Sequence, residues 1–304
     1  MRLAFVKTLC DLARRNKHIY LVTGDLGYAA LEPFVKAYPR QYVNIGVAEQ
    51  DLMGVAAGLA LSGKIVFAYS IATFASMRAL EQIRNDICYQ NLPVRIVGVG
   101  GGFSYGHLGV THYAIEDVAL MRALPNMAVT CPGDPKEAEA ITKFSLRYKG
   151  PLYIRLGKVG EPIIHKKFSF QLGKGYVVRD GMDCAIFVTG ALLGTVVESA
   201  ELLRKSGISC RVISMPTVKP IDKAMILRTA RSVKNLITVE EHNVIGGLGS
   251  AVAEILAESG IKNNFRRLGI PDEFPNVIGS QRYMRERYGL SKEKLAGFVK
   301  KFLS

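Results

Sequence analysis

The 304-residue sequence predicts two α/β domains, each a mostly parallel sheet covered by helices. Three observations carry that prediction. At roughly 150 residues per domain, the length suggests about two domains, and 49% apolar with 22% charged residues is a globular composition rather than a disordered or fibrous one. Short continuous apolar runs alternate with helically spaced segments along the whole chain, as expected of strands buried on both faces. The alternation lapses over the Lys- and Gly-containing residues 166–175 and then restarts. Domains are therefore expected at residues 1–165 and 166–304.

Taken in order, Val6, Leu9, Cys10 and Ala13 fall at helical spacing, and Ile19-Tyr20-Leu21-Val22 follows as a strand. Residues 52–77 carry a single charge, Lys64, and are long enough to suggest a membrane span. Ser62-Gly63-Lys64 divides them, however. The stretch 52–61 is Ala/Gly-rich with helical spacing, whereas Ile65-Val66-Phe67-Ala68-Tyr69 is β-branched and aromatic. A buried helix followed by a buried strand is the expectation, with no membrane as partner. Further strands are expected at Val94–Val99, at residues 127–130 and at Leu152–Leu156. In the second half they are expected at Cys184–Val188, at 208–213 and at 236–239. Helices are expected at 192–204 and 251–259, the latter stopped by Gly260. There is no periodic repeat and no low-complexity tract.

Forty Lys and Arg against 26 Asp and Glu leave a formal charge of +14. The basic residues are dispersed, as in Arg14-Arg15, Lys166-Lys167 and Arg266-Arg267, with no long run and no interleaved aromatics. That favours a solvated surface or an acidic partner over nucleic acid. The five cysteines contain no CxxC pair, which argues against a disulfide framework and a zinc site. Met1-Arg2-Leu3 runs directly into an amphipathic pattern without a leader, so the cytoplasm is the expected compartment.

Four segments carry chemistry. In Asn44-Ile45-Gly46-Val47-Ala48-Glu49-Gln50-Asp51 a carboxylate precedes an almost wholly apolar helix. If Glu49 points inward it is a desolvated acid suited to proton transfer; otherwise Glu49 and Asp51 simply complement a helix N-terminus. Residues 98–112, Gly-rich and ending in Gly109-Val110-Thr111-His112, form a loop after a strand. They lack the Walker lysine and the spacing of a dinucleotide fingerprint. Arg155 lies near the end of the strand Leu152–Leu156, where α/β sheets bind ligands, and it suits an anion or a structural ion pair equally. Glu240-Glu241-His242, ahead of Gly246-Gly247-Leu248-Gly249, reads as a polar strand end followed by a tightly packed strand–helix junction.

Taken together the chain resembles the C-terminal half of transketolase, and with it deoxyxylulose-phosphate synthase and the β subunits of pyruvate-dehydrogenase-type enzymes. The segments that carry the resemblance run from Gly24-Asp25-Leu26-Gly27 through residues 44–50, Arg78-Ala79-Leu80-Glu81-Gln82 and Gly109-Val110-Thr111-His112. They continue with Leu124-Pro125-Asn126, Tyr153-Ile154-Arg155, Met215-Pro216-Thr217-Val218-Lys219-Pro220, residues 240–250 and Gly269-Ile270-Pro271-Asp272. The resemblance implies a pyrimidine-binding domain, a transketolase C-terminal domain, and thiamine diphosphate as the cofactor that carries the difficult chemistry. It implies that Glu49 bonds the aminopyrimidine N1′ and promotes deprotonation at the thiazolium carbon. Phe74 is implied to stack on the ring with Ile71 at the companion aromatic position, and Asp25 to lie near the thiazolium. His112 is implied as a catalytic, substrate-side histidine, and Arg155 as the holder of a substrate phosphate.

Three departures stand out. Gly100 occupies a position where transketolases carry a substrate-contacting histidine, Leu108 replaces an aspartate, and His107 replaces the neighbouring glutamate on the substrate side. Loss of polar contacts in a site built to read hydroxyls costs about 10²–10⁴ in discrimination. The expectation is a pocket widened at Gly100 for a larger or less hydroxylated sugar or keto substrate. The Gly-Asp-Gly motif that holds the diphosphate and Mg²⁺ in the family is missing, since Thr23-Gly24-Asp25-Leu26 lacks its second glycine. The resemblance therefore implies a split enzyme. An N-terminal partner subunit would hold most of the diphosphate and the Mg²⁺, the assembly would be α2β2, and the reaction would be transfer of a two-carbon ketol unit. A 2-oxo acid decarboxylating or acyl-transferring β-type subunit, and a non-catalytic regulatory subunit, are the alternatives.

Overall fold

The computed structural model describes residues 1–158 and 160–304. Among the described residues there are twelve strands. They are β1 (Ile19–Thr23), β2 (Tyr42–Asn44), β3 (Ile65–Ile71), β4 (Val94–Val99), β5 (Ala128–Thr130), β6 (Leu152–Leu156), β7 (Tyr176–Arg179), β8 (Cys184–Val188), β9 (Cys210–Ser214), β10 (Thr217–Lys219), β11 (Asn235–Asn243) and β12 (Asn264–Ile270). The first sheet has the order β10-β5-β6-β4-β3-β1-β2 and the second β12-β11-β8-β9-β7. Among the described strands every pairing is parallel except β10 with β5 and β7 with β9, both at sheet edges.

The central strands are the apolar runs expected of two-sided burial: β4, β5, β6 and β8 are buried at every residue. Apolar clusters lie on both faces of each sheet. The edge strand β12 instead carries exposed Arg266 and Arg267, charges that discourage further strand pairing. The tempting stretch 52–77 resolves into the helix Glu49–Leu61 and strand β3. Among the described residues no helix is long and apolar enough to cross a membrane. Strand β10 belongs to the second half of the sequence yet closes the edge of the first sheet.

Strand β11 runs through Glu240-Glu241-His242, and these polar residues are buried rather than a solvated end. Glu240 accepts the N–H groups of Leu248 and Gly249, both at 2.7 Å, capping the helix Leu248–Ser259 from within. A Cβ on Gly247 would lie 2.0 Å from Glu240 Oε2, which explains a glycine there. Glu241 binds Arg285 and accepts the backbone N–H of Phe103 at 3.0 Å. Phe103, within the glycine-rich loop, and Tyr113, just after it, sit in a core cluster of the second domain. The C-terminal domain thus scaffolds the loop that carries His107 and His112.

Candidate active site

In the first sheet β1 continues to β2 on one side while β3 continues to β4 on the other, so the strand order reverses between β1 and β3. Ligands of open α/β sheets bind at such a switch, outside the carboxyl ends of the strands. The segments leaving those ends bring Asp25 (after β1), Glu49 (after β2), Ile71 and Phe74 (at and after β3), and residues 100–112 (after β4) to one crevice.

Glu49 opens the helix Glu49–Leu61 but does not cap it, and its side chain is only 1% exposed. Its Oε1 accepts the Ser70 hydroxyl at 3.0 Å, and its Oε2 is 2.6 Å from Arg78 Nη1. The inward-facing alternative is the one the structure adopts, with the charge paired rather than bare. Asp25 has a left-handed backbone (φ 53°), held by Asn44: its N–H donates to Asn44 Oδ1 and its Oδ1 accepts Asn44 Nδ2, each at 2.9 Å. It is adjacent to Gly24, whose Cβ position lies 3.4 Å from Glu49 Oε1.

Ile71 ends β3 half-buried, and Phe74 begins a π-helical turn, Phe74–Arg78. Such turns are uncommon and concentrate at functional sites. Here the turn lays the Arg78 guanidinium 4.4 Å from the Phe74 ring centroid. His112 meets Phe74 edge-on at 5.1 Å and Tyr105 at 6.2 Å, and its Nδ1 is 3.0 Å from Thr111 Oγ1. Desolvation, followed by the charge of exposed His107, pushes His112 below the ordinary histidine range. His107 itself lies on the short turn Gly106–Leu108.

Two expectations meet a different local geometry. Arg155 is largely committed within the protein, the ion-pair alternative that its position in the strand left open. It is 5% exposed, its Nε and Nη2 grip Asp117 at 2.8 and 3.1 Å, and Nη2 also donates to the carbonyls of Ala114 and Glu241 at 2.6 and 3.1 Å. It is a buried strut between β6, the loop and β11. Lys158, just past the carboxyl end of β6, also reaches towards the crevice, with its Nζ 4.4 Å over the Tyr105 ring. The sequence held that signal, because ligands lie beyond a strand's end and Arg155 lies within the strand. Nor is the pocket widened at Gly100. The residue has φ +86°, and a Cβ there would lie 2.1 Å from Tyr105 Cε2, so the Tyr105 ring fills the space. Arg78, noted in sequence only as part of a motif, is the other contributor that the residue pattern did not single out. Its four-residue spacing from Phe74 was the available clue.

Among the described residues no group of three or more His, Cys, Asp or Glu side chains is arranged to hold a metal ion. A buried carboxylate and an aromatic ring, bridged by one guanidinium, thus lie at the switch point of the first of two α/β domains. Residues 1–159 match the transketolase pyrimidine-binding domain and residues 173–295 the transketolase C-terminal domain, so the chain belongs to the transketolase family. It is 40% identical to one of the subunits of the apulose-4-phosphate transketolase of Phocaeicola vulgatus, covering 99% of this chain and 97% of that one. It is 36% identical to a 6-deoxy-6-sulfo-D-fructose transketolase subunit of Clostridium sp., covering 97% and 92%. A solved structure described as a split gene transketolase, inactive beta4 tetramer, superimposes with a TM-score of 0.91 at 41% identity, covering 99% of this chain and 97% of that one. Nearly the whole chain thus matches chains described as subunits of split transketolases.

Proposed function

We propose that the chain provides the pyrimidine side of a thiamine-diphosphate enzyme that transfers a two-carbon ketol unit to a sugar-type acceptor, in the cytoplasm and together with a separate diphosphate-binding subunit. The observation that supports this best is Glu49, a carboxylate buried at the switch point with a donor on each oxygen, one of them the Arg78 guanidinium that also lies over the Phe74 ring. The donor set fits the group: a planar, cationic guanidinium already lies on Phe74 and bonds Glu49, the two contacts an aminopyrimidine would need. When bound, thiamine diphosphate supplies an acidic thiazolium carbon and a cationic ring that accepts electron density. Glu49 would hold or move a proton at N1′, with Ser70 fixing its other oxygen. Phe74 and Ile71 would flank the ring, and Asp25 would face its thiazolium end.

His112, held largely neutral by desolvation, can accept a proton from a substrate hydroxyl. Lys158, with Tyr105 beneath it, would take an anionic end of the substrate, replacing Arg155 in that role, and His107 would border the entrance. The Tyr105 ring narrows the pocket, which points to a compact anionic sugar rather than a bulky one. The named relatives act on a phosphorylated and a sulfonated sugar, in keeping with that class.

The partner would bring the diphosphate and Mg²⁺ sites. Exposed apolar residues around the crevice, among them Tyr28, Val47, Val55, Met77 and Val110, suit burial against such a partner, most simply in an α2β2 assembly. Co-purification of the tagged chain from its own cells, read by mass spectrometry, tests the proposal. A partner of similar size bearing Gly-Asp-Gly and a downstream asparagine is expected; recovery of the chain alone as a homo-oligomer would contradict it.

A further inference from the structure

We infer that Arg78 is a built-in competitor for the aminopyrimidine ring, occupying the carboxylate oxygen and the aromatic face that the ring would use; the inference rests on the function proposed above. Arg78 Nη1 lies 2.6 Å from Glu49 Oε2, and the same guanidinium lies 4.4 Å from the Phe74 centroid. A planar cation that stacks on an aromatic ring while donating to a carboxylate copies the recognition chemistry of a protonated or donor-bearing pyrimidine. Glu49 is 1% exposed whereas the Arg78 side chain is 44% exposed, so the arginine reaches in from the solvent side and the carboxylate stays behind.

That asymmetry gives Arg78 somewhere to go. A buried carboxylate left without a partner is strongly disfavoured, so one of the two occupants must hold Oε2, and Arg78 can leave for water at little cost. Ser70 donates to the other oxygen at 3.0 Å, so the exchange need involve only Oε2. His112 already stands edge-on to Phe74 at 5.1 Å, which leaves the ring face under Arg78 as the stacking surface. The cofactor's affinity is therefore the net of two competing bonds to one oxygen. Arg78 sets that affinity without any need to touch the bound cofactor.

The test is isothermal titration of thiamine diphosphate, with Mg²⁺ present, into the complex with the diphosphate-binding partner. Wild type is compared with Arg78→Gln, Arg78→Lys and Glu49→Ala. Arg78→Gln should bind about 10-fold more tightly, because a charge-assisted bond no longer has to be exchanged. Arg78→Lys keeps the charge but loses the plane that stacks on Phe74, and should fall between it and wild type. Equal or weaker binding by Arg78→Gln, with Glu49→Ala still weakening it, overturns the competition alone. Failure of Glu49→Ala to weaken binding, or no binding by any form, overturns the proposed function and this inference with it.

Discussion

Placing a methyl group at Gly100 separates a pocket widened by glycine from one filled by Tyr105. The Cβ of Gly100→Ala would stand 2.1 Å from Tyr105 Cε2 and 2.4 Å from its Cδ2, far inside contact distance, at a backbone φ of +86°. A left-handed L-residue costs roughly 1–2 kcal/mol, and overpacking of this kind typically adds about 1–3 kcal/mol. The ring cannot simply swing aside, because Lys158 lies over it and His112 stands beside it. The two contributions predict a loss of about 2–5 kcal/mol, measurable by denaturant unfolding of the purified chain. They also separate. In the Tyr105→Ala background the steric share disappears while the backbone share remains, so a double-mutant cycle should show a coupling of about 1–3 kcal/mol. A Gly100→Ala protein within about 0.5 kcal/mol of wild type, the usual range for surface substitutions without a special mechanism, or a cycle with no coupling, would refute the filled-pocket reasoning.

Further expectations follow from the same geometry. Lys158→Gln in the reconstituted complex should raise KM for an anionic acceptor about 10-fold or more, the loss of one charge-assisted hydrogen bond, while leaving kcat and neutral acceptors nearly unchanged in initial-rate assays. Arg155→Met should leave Asp117 as an unpaired buried charge and cost about 3–5 kcal/mol of stability without moving KM; the opposite pattern would restore Arg155 to the substrate. Glu137 is fully buried, and its carboxyl is pushed up to about 7 by desolvation, offset in part by the Ser214 hydroxyl and the Gly133 N–H. Its folded value exceeds its unfolded one. The stability it contributes is therefore full below about pH 4.5 and lost as pH rises through about 7. His165, whose Nδ1 lies 3.7 Å from Glu137 Oε1, is opposed by desolvation but raised on balance through its hydrogen bond to Asp134, and it loses stability in the same direction. Thermal melts should therefore show Glu137→Gln gaining on wild type between about pH 5 and pH 8, and a constant difference would contradict this.

The sequence was most legible where burial is two-sided. Val94–Val99, Leu152–Leu156 and Cys184–Val188 are strands with the expected ends because every residue in them must be apolar or paired. Edge strands β2, β7, β10 and β12 escaped notice because half-exposed residues blur the pattern, and β10 pairs with a sheet from the other half of the chain. For Glu49 the pattern left two alternatives open, because a carboxylate at a helix N-terminus is also favourable on the surface, and only the resemblance pointed to an inward-facing acid. The role of Arg155 could not be read, since its partner Asp117 is 38 residues away in sequence. A guanidinium engaged by a buried carboxylate looks, in one dimension, the same as one free to bind phosphate. Tyr105 was hidden for a similar reason: the glycine showed that a side chain was missing, not which neighbour had taken its place.

The role of Glu49 can be measured without knowing either sugar. In the complex with its diphosphate-binding partner, exchange of the thiazolium C2 proton of thiamine diphosphate for deuterium, followed by NMR after acid quench, reports proton removal directly. Wild type should exchange at least about 10²-fold faster than Glu49→Ala, the contribution of a positioned acid–base group. Equal exchange rates in the two complexes would contradict the claim that this carboxylate activates the cofactor.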